Sequence, residues 1–247
     1  MDFEVRRFFI SLVFPGLLLL LIWIVFLMDQ TLDLNLYFHG LYPRKLSGLQ
    51  GILFSPLIHS DFKHIIANSI PLLVLGTGLF YFYRDLAIKV FLLSYFMTGL
   101  YVWIAARESY HIGASGLIYS LVGFMFLSGV LRKHLGLMAI SLIIVFQYGS
   151  MIWGIFPMEE RVSWESHLLG LIAGVTWAIV FRKEGPQKGE SPWSLYNPQE
   201  DVMNAEGEEE DDSGLPWYEY EIEGKRKKKD FNITHNSPPD WESNSTD

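Results

Sequence analysis

One serine in this sequence lies between residues with almost no side chain. The stretch Gly113-Ala114-Ser115-Gly116 comes where a polar loop turns into a long apolar run. Its small neighbours leave the Ser115 hydroxyl approachable, and the free backbone amides of a helix start can bind an oxyanion. Because serine at a helix start is most often an N-cap, the motif alone leaves open whether Ser115 caps a helix or acts as a nucleophile.

Two other apolar segments also begin with polar residues of a catalytic type. His64 and Asn68 open one of them and share a helix face, as Ser115 and Tyr119 do in theirs. His167 opens the third segment. Imidazoles serve as general bases, and imidazole and amide groups donate hydrogen bonds to oxyanions. The three segments together supply a nucleophile, a base and hydrogen-bond donors, which are the groups that serine hydrolysis needs.

Glycines indicate how these segments pack. His167, Gly170 and Gly174 form a stripe at helical spacing, and such glycines let a neighbouring helix approach closely. If the neighbour is the segment of Ser115, the stripe brings His167 to that serine. The glycines to which we assign a packing role are Gly113, Gly116, Gly170 and Gly174.

The composition indicates that lipid surrounds much of the chain. Of the 247 residues, 50% are hydrophobic, 15% are aromatic and only 19% are charged, which is too apolar for an ordinary soluble domain. A bilayer core needs about 20 apolar residues per helix. Six segments qualify, at residues 8–28, 64–83, 87–106, 115–132, 135–155 and 165–182. They predict an all-α membrane protein built as a six-transmembrane-helix bundle.

The same composition argues against several classes of protein. The predicted spans contain almost no formal charge, which argues against a proton or ion pump. The sequence has no cysteine, so thiolate nucleophiles, thiolate metal sites and disulfides are excluded. Serine chemistry remains open.

Lysines and arginines near the span ends predict the orientation in the membrane. Eight of them fall on one side and five on the other, so we predict that the richer side, with both termini, is cytoplasmic. The second, fourth and sixth spans then all begin at the outer face. His64, Ser115 and His167 would therefore lie at one depth, just below that face.

The end of the chain has a different composition. Residues 183–247 carry 17 acidic and 7 basic residues without apolar periodicity. We predict a membrane domain at residues 1–184 and an acidic, disordered cytoplasmic tail at residues 185–247. The run KRKKK at residues 225–229 is interpreted as a solvated charge run.

Three linked motifs resemble those of the rhomboid family of intramembrane serine proteases. They read HSDFKHIIAN, which holds His59, His64 and Asn68, then GASG around Ser115, then HLLGLIAG from His167. The family has these motifs in its second, fourth and sixth helices. The resemblance covers roughly residues 50–182, in the family's order and spacing.

The resemblance implies a role for each site residue. Ser115 would attack the scissile carbonyl, and His167 would take its proton and later protonate the leaving amine. The side chains of His64 and Asn68, with the Ser115 amide, would stabilise the oxyanion. Tyr119 would pack on the ring of His167 and fix its orientation.

The resemblance also implies partners and a location. We expect single-span membrane proteins as substrates, a bacterial cytoplasmic membrane, no nucleic acid, no cofactor and no metal. Since the family works with a Ser-His dyad, Glu165 is not expected to be a third member. Many family members carry Trp-Arg in the first outer loop, whereas this chain has Tyr42-Pro43-Arg44, so that dipeptide's role is not transferred.

Two alternatives stay open at this point. The first is an inactive protein of the same fold that binds membrane helices for sorting or quality control. The second is a transporter or metal carrier whose imidazoles bind zinc, although the sequence has no HExxH motif. The histidines that such a site would use are His59, His64, His111 and His167.

Overall fold

Helices dominate the residues that the structure, a computed structural model, describes: 3–133, 137–139, 142–143, 146, 153–157 and 163–186. The α-helices are α1 (Phe3–Leu32), α2 (Gly51–Phe54), α3 (Phe62–Phe82), α4 (Arg84–Ala105), α5 (Ser115–Arg132) and α6 (Trp164–Val180). Leu36–His39, Leu46–Gly48 and Ser55–Leu57 form 3-10 turns. Over these described residues no strand occurs beyond an isolated bridge between Leu41 and His111. The all-α prediction is confirmed for this part of the chain.

Four of these helices are long and apolar enough to cross a membrane, namely α1, α3, α4 and α5. They coincide with four predicted spans, although α1 has 30 residues and at 1.5 Å per residue is about 45 Å long, more than the hydrocarbon core needs. Helix α6 is apolar and shorter, with 17 residues. Most of the predicted span at 135–155 lies outside the described residues, so the count of six stays a prediction.

The predicted tail cannot be compared with the structure in the same way. Residues 187–247 lie outside the described part of the chain. The boundary at residue 184 and the disorder of the tail therefore stay predictions.

The starts of α3 and α5 differ in how they are capped. The Asp61 carboxylate caps α3 by accepting a hydrogen bond of 2.9 Å from the His64 amide. Helix α5 begins at Ser115, and the N-cap position belongs to Ala114, which has no capping side chain. Ser115 is thus the first helical residue, and its hydroxyl is not used as a cap.

Helices α5 and α6 approach each other until backbone meets backbone. A Cβ atom added at Gly170 would collide with the carbonyl oxygen of Gly116, and one added at Gly174 would collide with that of Ser120. Only glycine fits at such positions, because a side chain would force the helices apart. Gly170 and Gly174 follow His167 by three and seven residues on α6. Their contact with α5 therefore fixes where the His167 ring lies relative to α5.

The far end of α5 is also attached to α6. The guanidinium of Arg132 is buried, and it donates hydrogen bonds to the carbonyl oxygens of Phe181 at 2.7 Å and Glu184 at 2.6 Å. These carbonyls lie just after α6, where helical hydrogen bonds are missing. The pair of helices is therefore held at both ends.

We predict that Gly174→Ala destabilises the protein because its methyl group must displace the α5 backbone, at a cost of about 1–3 kcal/mol. The matched control is Gly16→Ala in α1, where an added Cβ meets nothing within 4 Å. That change should be neutral or stabilising by up to about 1 kcal/mol, because alanine favours helix. Thermal unfolding in detergent measures both. Equal midpoints for the two variants would contradict the α5–α6 contact.

Candidate active site

The hydroxyl of Ser115 and the ring of His167 are joined by a hydrogen bond. Nε2 of His167 lies 2.8 Å from Oγ of Ser115, and Nδ1 of His167 lies 2.8 Å from the carbonyl oxygen of Gly154. A carbonyl only accepts, so Nδ1 carries the hydrogen of the neutral ring. Nε2 then has a free lone pair and accepts from the Ser115 hydroxyl. This tautomer, assigned from the hydrogen-bond network, orients His167 as a base toward Ser115.

The ring of Tyr119 packs on a face of the His167 imidazole. Tyr119 follows Ser115 by one helical turn, and its ring stacks on His167 with centroids 4.3 Å apart and planes 10° from parallel. Tyr119 is itself buried. The stacking restricts rotation of the imidazole about its bond to Cβ, which keeps Nε2 in line with the serine.

Gly154 is a site residue that the sequence reasoning missed. Its carbonyl holds Nδ1 of His167, and a Cβ atom there would collide with the Tyr119 hydroxyl and lie 3.0 Å from Nδ1. The Gly154 backbone can therefore approach the rings of His167 and Tyr119 only because this residue has no side chain. A backbone carbonyl gives no signal in a sequence, and Gly154 stands in no motif.

His64 and Asn68 lie on one face of α3 and point their side-chain nitrogens at Gly113. A Cβ atom at Gly113 would lie 2.6 Å from Nε2 of His64 and 3.7 Å from Nδ2 of Asn68. Gly113 has a φ of +100° and its amide donates to the Ser55 carbonyl at 2.8 Å. Glycine suits position 113 for two reasons. The positive φ disfavours residues with a side chain, and the missing side chain leaves space in front of Nε2 of His64 and Nδ2 of Asn68.

Thus Gly113 packs against α3 from a loop, whereas Gly116, Gly170 and Gly174 lie at the helix contact. We expected Gly113 to pack between two helices, but it lies in the loop before α5 and packs against side chains of α3. Its position brings the GASG segment alongside the two candidate oxyanion donors.

The neighbouring Ser60 decides which ring nitrogen of a neutral His64 carries the hydrogen. Oγ of Ser60 lies 3.2 Å from Nδ1 of His64 and 2.8 Å from a carboxylate oxygen of Asp61. Hydrogen bonds from the His64 amide and the Ser60 hydroxyl lower the pKa of Asp61. If the Ser60 hydrogen turns from Asp61 to Nδ1, the neutral ring of His64 carries its own hydrogen on Nε2 and can donate it. A negative charge forming beside Nε2 favours that arrangement.

His59 and His111, the other two histidines considered for a zinc site, have different neighbours. His59 is 1% exposed, and its ring packs edge to face on His64 with centroids 4.9 Å apart. Burial, with a smaller effect of His64, lowers the pKa of His59 to about 4. Nδ1 of His111 lies 2.5 Å from the Ser163 hydroxyl, and burial lowers the pKa of His111. Among the described residues, no three or more His, Cys, Asp or Glu side chains form a group suited to a metal ion.

Polar contacts fix the first turn of α6 to the loop before α5. Glu165 is buried and lies 3.3 Å from Nε of Arg107, while the Ser163 hydroxyl that contacts His111 also lies 2.5 Å from that of Ser166. Glu165 thus faces Arg107, whereas Nδ1 of His167 is bonded to Gly154. The contacts of Arg107 with Glu165 and of His111 with Ser163 join residues more than 50 positions apart, which sequence spacing does not reveal.

Comparison with known proteins settles the family. A family model described as the Rhomboid domain matches residues 47–184. This chain belongs to the rhomboid family. The match includes all three motifs, so the resemblance inferred from them is confirmed. Family membership and the long apolar helices make this rhomboid an integral membrane protein.

Mycobacterial proteins are similar to this rhomboid. An uncharacterized protein of Mycobacterium tuberculosis (strain ATCC 25618 / H37Rv) is 36% identical over 174 residues, which cover 65% of this chain and 70% of that protein. An uncharacterized protein of Mycobacterium leprae (strain TN) is 32% identical over 169 residues, covering 65% and 67% respectively. The names of these relatives assign no activity.

The segment between α1 and α3 of this rhomboid is attached to the rest of the molecule through Arg44. This residue has a φ of +58°, and its guanidinium donates to the Ala106 carbonyl at 2.7 Å and lies 3.5 Å from the Glu108 carboxylate. Its amide also donates to the Trp103 carbonyl at 3.0 Å. Although this chain lacks the Trp-Arg dipeptide, Arg44 joins the segment after α1 to the end of α4.

We predict that the ring of Tyr119, and not its hydroxyl, keeps His167 in place. Tyr119→Leu should slow labelling of Ser115 by a fluorophosphonate probe about three- to tenfold, since a stacked aromatic pair contributes about 0.5–1.5 kcal/mol. Tyr119→Phe retains the ring and should react nearly as fast as the unaltered protein. The labelling rate in detergent measures both. Equal losses in the two variants would assign the effect to the hydroxyl.

Proposed function

We propose that this rhomboid is an intramembrane serine endopeptidase. It cleaves transmembrane helices of other membrane proteins near the extracytoplasmic face with a dyad of Ser115 and His167. The observation that carries the proposal is the 2.8 Å hydrogen bond from Ser115 to an imidazole whose other nitrogen already donates to Gly154. A serine with a base in this arrangement is the usual form of an activated nucleophile.

The reaction follows from these contacts. Oγ of Ser115 attacks the scissile carbonyl while its proton passes to Nε2 of His167, and the Gly154 carbonyl stabilises the imidazolium that forms. The C–N bond breaks as Nε2 returns the proton to the leaving amine. Water then attacks the acyl ester while Nε2 of His167 takes its proton. The bond between the acyl carbon and Oγ breaks as Nε2 returns that proton to Oγ, which restores Ser115.

The negative charge on the carbonyl oxygen needs hydrogen-bond donors held beside it. Nε2 of His64, Nδ2 of Asn68 and the amide of Ser115 are the groups proposed for this role. The space that Gly113 leaves in front of the two side chains supports it. Removal of one such donor typically lowers turnover by about 10²–10³.

The substrate must offer an extended segment to Ser115. A stable helix keeps its carbonyls in intrahelical hydrogen bonds, so we propose single-span membrane proteins whose helices contain Gly, Pro or small residues near the outer end. Water reaches the serine from the outer side, because polar residues gather at the starts of α3, α5 and α6.

The proposed setting is a bacterial cytoplasmic membrane, which the mycobacterial relatives support. We propose six spans, with the fifth at residues 135–155, and both termini in the cytoplasm. The bias of lysines and arginines supports this orientation. The acidic tail then lies on the cytoplasmic side.

We predict that Ser115→Ala and His167→Ala abolish cleavage of a single-span test substrate by the purified protein, because each removes one half of the dyad. Ser120→Ala is the matched control, since this serine lies on the same helix and its buried hydroxyl has no hydrogen-bond partner among the described residues. It should cut at the normal rate. Gel analysis of the products in detergent or proteoliposomes measures all three.

Two outcomes would contradict the proposal. If folded Ser115→Ala still cuts, the nucleophile lies elsewhere. If the unaltered protein binds transmembrane substrates but never cuts them, it is an inactive, helix-binding member of the family.

A further inference from the structure

A chain of hydrogen bonds leads from the start of α3 to the ring of His64. Nε2 of His64 faces the space beside Gly113, whereas Nδ1 of the same ring lies 3.2 Å from Oγ of Ser60. Oγ of Ser60 lies in turn 2.8 Å from a carboxylate oxygen of Asp61. The chain therefore begins at a carboxylate and ends at a nitrogen that is proposed to contact the oxyanion.

The Ser60 hydroxyl has one hydrogen and two groups that could accept it. Hydrogen bonds from the His64 amide and the Ser60 hydroxyl lower the pKa of Asp61, so its carboxylate is charged at physiological pH. Of the two contacts of Oγ, the one with Asp61 is the shorter, and a hydrogen bond to a charged acceptor is the stronger kind. Ser60 therefore donates to Asp61, and Nδ1 of His64 donates to Oγ of Ser60.

This resting arrangement prevents His64 from donating to an oxyanion. A neutral imidazole has a single N–H, and with that hydrogen on Nδ1 the nitrogen Nε2 has only a lone pair. For Nε2 to donate, the Ser60 hydrogen must turn from Asp61 to Nδ1. The ring then loses the hydrogen on Nδ1 to water and takes one from water on Nε2, without net uptake of a proton. Water can serve in this exchange because Ser60 is exposed.

We propose that Ser60 and Asp61 are positioning residues that regulate His64, and that the Asp61 charge holds the ring in its non-donating form until an oxyanion develops. The inference rests on the proposed protease function and adds a regulation of its site. An oxyanion beside Nε2 favours the donating form, because that form makes the hydrogen bond that stabilises the negative charge. The reaction must therefore overcome the preference of the Ser60 hydrogen for Asp61.

Asp61→Asn tests the proposal, because it should accelerate the reaction. Asparagine also caps helices well, so the hydrogen bond from the His64 amide to residue 61 is retained. Its amide group can donate to Oγ of Ser60, which turns the Ser60 hydrogen to Nδ1 and leaves Nε2 as the donor. Labelling of Ser115 by a fluorophosphonate probe should become about three- to tenfold faster. Unchanged or slower labelling by the folded variant would overturn the proposal.

A double-mutant cycle separates this effect from simple removal of a negative charge. In a Ser60→Ala background the hydroxyl is missing, so Asp61→Asn should change the labelling rate by a factor of about one. In a Ser60→Thr background the hydroxyl is retained, and the acceleration should return. Asp85→Asn, which removes a carboxylate from the first turn of α4, is the control and should leave the rate unchanged. An equal acceleration with and without the hydroxyl at residue 60 would overturn the proposal.

Nuclear magnetic resonance of the full-length protein with ¹⁵N-labelled histidine shows the ring hydrogen directly. The spectrum is recorded in detergent at mildly alkaline pH, where histidine rings are neutral, and the His64 signals are those lost in His64→Gln. The unaltered protein should have the hydrogen on Nδ1, whereas Asp61→Asn and the probe-labelled protein should have it on Nε2. The same tautomer in the unaltered protein and in Asp61→Asn would overturn the proposal.

The two proposals fail in different ways. If Ser115 neither reacts with the probe nor cuts a substrate, the protease function fails and this inference fails with it. If Ser115 reacts but Asp61→Asn changes neither the labelling rate nor the tautomer of His64, only the role of Ser60 and Asp61 fails.

Discussion

Helices α5 and α6 must approach to backbone contact before Ser115 and His167 can share a hydrogen bond. The two residues are 52 positions apart in the chain, and nothing local brings them together. Gly170 and Gly174 remove the side chains that would separate the helices, while Arg132 fastens the opposite end of α5 to the residues after α6. A small change in this contact would alter the distance on which the proposed proton transfer depends.

The proposed base of this site, His167, is oriented by neutral groups. The Gly154 carbonyl and the ring of Tyr119 fix the imidazole of His167, whereas the nearby carboxylate of Glu165 is paired with Arg107. A neutral acceptor stabilises an imidazolium less than a carboxylate does, but it also avoids an unpaired charge inside a membrane protein. The ion pair of Glu165 instead contributes to holding the first turn of α6 against the preceding loop.

Much of this arrangement can be predicted from local sequence. Apolar length and spacing located α3, α4 and α5, and three motifs with fixed spacing indicated the family, because such patterns reflect one helix or one turn at a time. The capping of α5 was less predictable, since Ala114 and Ser115 both suit a helix start, and only the tertiary contact with His167 shows that the hydroxyl is not a cap.

The contacts that sequence spacing could not give are long-range or made by the backbone. Gly154 acts through a carbonyl, which every residue has. The pair of Arg107 and Glu165, and the contact of His111 with Ser163, join segments whose separation along the chain has no fixed period. Such contacts follow from the packing of whole helices and loops, and only coordinates reveal them.

The most direct test of the account is an experimental structure of the protein after reaction with a fluorophosphonate probe. The account predicts phosphorus bonded to Oγ of Ser115, with the phosphonyl oxygen within hydrogen-bond distance, about 3 Å, of Nε2 of His64 and Nδ2 of Asn68. The ring of His167 should still donate to Gly154 and stack on Tyr119. A probe attached to another residue, or a phosphonyl oxygen that faces away from both His64 and Asn68, would contradict it.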